Sequence, residues 1–189
     1  MTQDYQDSSF ISSKKVKLTS DVVYKAPEGA VDKHDDYIDV SYHFFGGKVV
    51  RSNSPVGPFH YMHVPKLGKM GEAGAPALPM RNDLFEIPLD ATPRVEIISV
   101  KYVVYDNLLI YPAQPPAPDV YGAKAPPFTI NKILYASNEW FPSQVASIYS
   151  DQKAAQKRYL RVQVVAAQQQ PASKKLRVLS EVRYRLHFR

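Results

Sequence analysis

Leu176-Arg177-Val178-Leu179-Ser180-Glu181-Val182-Arg183-Tyr184-Arg185-Leu186-His187-Phe188 is the run that decides the fold class. Leu176, Val178, Val182, Tyr184, Leu186 and Phe188 alternate with Arg177, Glu181, Arg183, Arg185 and His187, and a strand turns that period of two into one apolar and one polar face. The polar face is basic. Two readings fit it: Arg177, Arg183 and Arg185 are a docking surface for an acidic partner, or they are the solvated face of a terminal edge strand, where charge blocks edge-to-edge pairing.

The same period recurs upstream. From Tyr37 to Phe45, Ile38, Val40, Tyr42 and Phe44 share one face, and Gly46-Gly47 before Lys48-Val49-Val50 predicts a hairpin. Phe59 to Val64, Leu84 to Pro88 and Tyr159 to Val165 are further strand candidates, with a polar turn over Gln168–Lys174. In Arg94 to Tyr105, Val95 and Ile97 lie on one face and Ile98, Val100, Tyr102 and Val104 on the other. That switch predicts a β-bulge or a crossing between sheets. Asp106-Asn107 turns the chain into Leu108 to Tyr111. Ser150 to Arg158 has helical propensity without an apolar stripe, so a hairpin loop fits it equally. These patterns predict an all-β chain of about eight to ten short antiparallel strands, a single sandwich or open barrel over residues 34–189. Residues 1–33 read as a polar N-terminal arm.

The chain has 189 residues and no cysteine, with 24 basic against 18 acidic side chains for a formal charge of +6. A thiol nucleophile, a disulfide framework and a thiolate metal site are thereby excluded. The five histidines (His34, His43, His60, His63 and His187) lack metal-ligand spacing, and no phosphate cradle or nucleophile elbow occurs, so neither a metal, a cofactor nor an enzymatic activity is expected. The excess of positive charge is spread out rather than blocked, which argues against nucleic acid. No apolar run is long enough for a membrane-spanning helix, and Met1 to Asp7 has neither the basic nor the apolar region of a secretory signal.

Two loops stand out. Lys66 to Pro79 holds three glycines and two prolines in fourteen residues. Between Pro112 and Pro127 six of sixteen residues are proline, which forbids helix and central strand and leaves a stiff, exposed, polyproline-like connection.

The first of these loops, Gly71-Glu72-Ala73-Gly74-Ala75-Pro76-Ala77-Leu78-Pro79, runs on through Leu84-Phe85-Glu86-Ile87-Pro88-Leu89-Asp90-Ala91-Thr92-Pro93-Arg94-Val95-Glu96-Ile97. With this stretch the chain resembles the propeptide domain of gingipain-type cysteine peptidases, which carry a G-x-x-G-x-P-x-(L/V)-P loop before an apolar stretch and a V-x-(V/I) strand. The preceding strand Phe59 to Val64, the proline-containing connection and the closing Leu176-Arg177-Val178 strand agree in order, so the resemblance covers roughly Tyr37 to Phe188. It implies a β-sandwich of jelly-roll type, N-terminal to a secreted bacterial cysteine endopeptidase, that assists folding and holds the enzyme latent. The implied partner is the peptidase's catalytic domain, with the cysteine-histidine dyad beyond Arg189, and the implied location is secreted, periplasmic or at the cell surface.

Such peptidases cleave after arginine or lysine, so the resemblance also implies a basic side chain on a protruding loop that enters an acidic specificity pocket. Lys124, flanked by the small Ala123 and Ala125 in the stiff loop, is the best candidate, and Pro126 and Pro127 hinder cleavage after it. Lys66 and Lys69 are the alternatives. A different class of function fits the same composition: a secreted accessory module binding carbohydrate or a surface protein.

Overall fold

The structure, a computed structural model, describes residues 9–11 and 28–189. Most of the expected arm over residues 1–33 lies outside the described residues. In chain order the elements are β1 (Ser9–Ile11), β2 (Glu28–Lys33), β3 (Tyr37–His43), β4 (Gly47–Ser54), β5 (Gly57–His63), β6 (Gly68–Lys69) and β7 (Pro79–Ile87). There follow β8 (Arg94–Tyr105), the single turn α1 (Lys132–Tyr135), β9 (Ala146–Ala154), β10 (Lys157–Val165), β11 (Ala167–Gln170) and β12 (Lys175–His187).

All strand pairings are antiparallel. β12 is the spine of the larger sheet. Its full length pairs with β8 on one side, while the other side is shared by β11 and then β3, with β2 outside β3. The last strand is therefore central, not an edge, because alternate residues bury Leu176, Val178, Val182, Tyr184 and Leu186 in the core. A second sheet runs β6-β7-β10-β9, and β1-β4-β5 forms a third, smaller one. Leu160, Val162 and Val164 of β10 and Phe85 and Ile87 of β7 join Ile38, Val40 and Tyr42 of β3 in one core, the packing of a β-sandwich.

A carboxylate, that of Asp83, is buried in that core. The Tyr42 hydroxyl on β3 donates to Asp83 Oδ2 on β7 at 2.7 Å, Tyr184 on β12 lies 3.5 Å from the same oxygen, and Arg81 Nε donates to Oδ1 at 2.7 Å. The Arg81 guanidinium lies 4.2 Å from the centre of the Tyr42 ring. Burial, reinforced by the adjacent Asp83 carboxylate, holds both phenols above their ordinary range. The buried carboxylate is thus paired on both oxygens, the condition under which such a group is tolerated.

The parity switch read in β8 is a bulge. Tyr184 pairs with Ile97 and Arg183 with Ser99, leaving Ile98 unopposed. The bulge also returns Val100 to the side of Val95 and Ile97, and all three pack against the core. Ser150 to Arg158 is a hairpin, with β9 and β10 joined through Ala155-Gln156.

Two local expectations change. Gly46-Gly47 does not close a hairpin: β3 and β4 belong to different sheets, and β4 instead pairs with β5 through a turn at Pro55-Val56. Gly47 makes a corner where a Cβ would lie 2.7 Å from the His63 carbonyl oxygen, so the chain passes too close to β5 for a side chain. Gln168–Lys174 is not all turn either, since Ala167–Gln170 is β11 and only Pro171–Lys174 turns. Gln169 is fully buried there because its amide is satisfied three times: Oε1 accepts from Ile110 N–H at 2.9 Å, and Nε2 donates to Leu108 and Lys175 carbonyls at 3.0 and 2.8 Å.

Candidate functional site

The segment that Gln169 grips, Leu108 to Ile110, leads directly into the proline-rich loop. Its backbone runs beside β5: His60 N–H donates to Leu109 O at 2.7 Å, and Tyr111 N–H donates to His60 O at 2.8 Å. The Gly/Pro loop then takes over. Ala77 N–H donates to Tyr111 O at 3.0 Å, Ala113 N–H to Ala75 O and Gly74 N–H to Ala113 O, both at 2.8 Å. Where the chain returns, Asn131 N–H donates to Gly74 O at 2.9 Å. Gly74 therefore touches both ends of the proline-rich loop. It has φ of +85°, and a Cβ on it would lie 2.8 Å from Asn131 N, so only glycine suits the position. Gly74 to Pro79 is buried, the physical reason for the small, apolar composition of that stretch.

Gln114 closes the ring. Its Nε2 donates to the Pro112 and Thr129 carbonyls at 2.9 Å, and its Oε1 accepts from Thr129 N–H at 2.9 Å. Beneath lies an aromatic cluster in which Tyr111 stacks on Tyr61 at 4.5 Å and meets Phe59 and Phe128 edge-on at 5.7 Å, with Tyr135 edge-on to Phe59 at 5.7 Å. The Tyr135 hydroxyl donates to Ile110 O at 2.6 Å, and the N-cap Asn131 accepts from Leu134 N–H. Burial, and then the neighbouring Tyr111 hydroxyl, push the Tyr61 phenol up to about 12.

Above this base, Pro116 to Ala125 is exposed throughout. The tip is one turn, in which Ala123 N–H donates to Val120 O at 3.1 Å and Gly122 takes φ of +78°, the signature of a type II turn with Tyr121 at the corner. Lys124, with Ala123 and Ala125 beside it, follows the turn immediately and is exposed. A basic side chain thus stands on an exposed tip of a loop whose two ends are tied to the sandwich.

The other expected residues lie elsewhere. Lys66, with φ of +61°, sits in a tight turn after β5, where Leu67 N–H donates to Val64 O at 3.2 Å. Lys69 is in β6, with its ammonium 5.1 Å from the centre of the Tyr61 ring, so it neighbours the loop base rather than the tip. Of the basic stripe, Arg177 lies between Tyr102 and Trp140 at 4.4 and 4.0 Å from the ring centres and donates to Gln168 Oε1. Arg185 makes two bonds to Asp39, of 2.7 and 2.8 Å, and covers the Tyr37 ring. That fork holds the Asp39 carboxyl below its ordinary range. Among the described residues Arg183 is exposed and has no ion-pair partner.

Gln114, His60 and Gly74 hold the loop, and sequence reasoning assigned none of them a role. The one polar amide between prolines at position 114 was the available signal.

His60 makes the base sensitive to pH. Its Nδ1 accepts from Leu109 N–H at 3.3 Å, which requires the neutral ring, and burial, aided by the charge of Arg51, depresses its pKa below 6.5. The folded chain therefore binds fewer protons here than the unfolded chain. The stabilisation is complete above about 6.5 and is lost as pH falls through the depressed value. Thermal midpoints at pH 7.5 and 5.5 are expected to differ less in His60→Gln than in the unsubstituted chain.

The family model described as Propeptide_C25 matches residues 33–189. No curated protein matches the chain. Among solved structures, one of gingipain K from Porphyromonas gingivalis, concerned with its zymogenic latency, superposes with a TM-score of 0.72 at 19% identity, covering 97% of this chain and 99% of that one. The complex of the pro- and mature domains of Porphyromonas gingivalis RgpB gives a TM-score of 0.75 at 18% identity, covering 87% and 86%. At these identities the structures share the fold, and the family match carries the assignment: this β-sandwich, with its Gly/Pro loop clamping a proline-rich tip, belongs to the Propeptide_C25 family.

Proposed function

We propose that the chain is the prodomain that keeps a gingipain-type cysteine endopeptidase latent and assists its folding, by placing the Lys124 ammonium in the acidic specificity pocket of the catalytic domain. One observation carries this reading: Lys124 is exposed on a one-turn tip whose two ends are tied to the sandwich through Gly74 and Gln114. Preordering of that kind lowers the entropic cost of binding. Pro126 and Pro127, second and third after Lys124, disfavour cleavage of the bond that follows it, so a substrate-like contact acts as a block. The setting is that of a secreted or cell-surface precursor, with the catalytic domain as partner.

The test is titration of the chain against mature gingipain K with a small lysyl substrate. Competitive inhibition, with the Lys124-Ala125 bond left intact, is the expected result. Inhibition that substrate cannot relieve overturns the pocket contact, and no inhibition at all returns the chain to the class of accessory binding modules. Arg183 contributes steering at most, with Arg177 and Arg185 already engaged within the sandwich. Association that is unchanged between low and high salt removes even that role.

A further inference from the structure

Tyr121 is the most exposed large apolar side chain among the described residues, at 107% of its reference area, and Val120 beside it stands at 70%. Neither packs on the sandwich, although the loop beneath them rests on five aromatic rings. Tyrosine is costly to leave in water and cheap to immobilise, having only two side-chain torsions. The turn fixes where it points. Val120 O and Ala123 N–H close the turn and Gly122 supplies its positive φ, so Tyr121 occupies the outer corner. Lys124 leaves the same tip three residues later, at most about 10 Å away along the chain. A surface that covers this tip can therefore engage both side chains.

We infer that Tyr121 is a second anchor of the Lys124 contact, its ring entering an apolar recess of the peptidase's catalytic domain beside the specificity pocket. The inference rests on the reading of Lys124 given above and adds to it the recognition of a residue on the N-terminal side of the basic one. Inhibition would then depend on more than a positive charge, and peptidases with the same acidic pocket but no recess would be held weakly. Exposed aromatic anchors of this type dominate many interfaces and act chiefly on the dissociation rate.

The experiment follows binding of the 189-residue chain to immobilised mature gingipain K for the unsubstituted protein and for Tyr121→Ala, Tyr121→Phe, Lys124→Ala and Tyr149→Ala. Tyr149, on β9, is a second strongly exposed tyrosine outside the loop and serves as the control. Tyr121→Ala is expected to dissociate on the order of tenfold faster, with Tyr121→Phe and Tyr149→Ala close to the unsubstituted chain and thermal midpoints unchanged. Dissociation of Tyr121→Ala at the unsubstituted rate overturns the anchor and leaves the Lys124 reading standing. Loss of binding in Tyr121→Ala with full binding by Lys124→Ala does the reverse, keeping the anchor and removing the charged latch. An unsubstituted chain that does not bind overturns both. Sedimentation of the free chain separates a further outcome: a dimer abolished by Tyr121→Ala would assign the ring to self-association and overturn the inference.

Discussion

Lys124→Ala should raise the inhibition constant against a lysine-cleaving gingipain-type peptidase by at least about 100-fold, close to 3 kcal/mol. In the complex the ammonium is withdrawn from water and meets pocket carboxylates. Removing it loses the charge-assisted bonds and also leaves those carboxylates buried without a partner. Lys124→Gln keeps the length and loses the charge, so it should fall close to Lys124→Ala. Lys124→Arg keeps the charge and should retain more inhibition. The fold is insulated from these changes: Lys124 is exposed and among the described residues takes part in no ion pair. Unchanged thermal midpoints across the series are therefore part of the expected result, and they separate loss of contact from loss of structure.

Gly74→Val is expected to be the most damaging single change near the loop, costing about 3 kcal/mol of stability. A β-branched residue cannot adopt φ of +85° without strain, and its Cβ would press against the Asn131 backbone nitrogen from 2.8 Å. Relief requires moving Gly74 away from Ala113 and Asn131, so the two hydrogen bonds that join the loop's ends are lost together. The Lys124 tip then becomes a flexible segment whose ordering must be supplied on binding, and inhibition weakens although Lys124 is intact. Gly71→Ala is the matched control. It lies in the same loop, nothing stands within 4 Å of the added carbon, and its effect should stay within about 0.5 kcal/mol. Denaturant midpoints and inhibition constants measured on the pair check both halves of the prediction.

The sequence pattern carried the architecture where burial is one-sided. β3, β10 and β12 each alternate, and in β8 the break of parity at Ile97-Ile98 located the bulge because only an extra residue keeps both flanks packed. It failed where the deciding partner is remote. β2 is exposed at all six residues and so leaves no alternation to read. Gly46-Gly47 looks like any two-glycine hairpin, and only the proximity of His63 shows it to be a corner between sheets. Gln168 to Gln170 reads as a turn because amides are normally solvated, yet Gln169 is buried once Leu108, Ile110 and Lys175 satisfy it.

The site divides along the same line. The exposure of the Lys124 loop follows from its prolines and was legible in composition alone. Its anchoring was not, since it depends on backbone bonds from Gly74 to Ala113 and Asn131 and on the Gln114 amide bound to Thr129, contacts between residues remote in the chain. The basic stripe of β12 was visible as charge, whereas the rings on either side of Arg177 and the carboxylate on Arg185 come from other segments of the chain.

The most direct measurement is a structure of this chain bound to a gingipain-type catalytic domain. The Val120–Ala125 tip is expected in the active-site cleft, with Lys124 Nζ about 3 Å from a carboxylate of the specificity pocket. A pocket filled by Lys66 or Lys69, or a complex in which the tip stays in solvent, would contradict it.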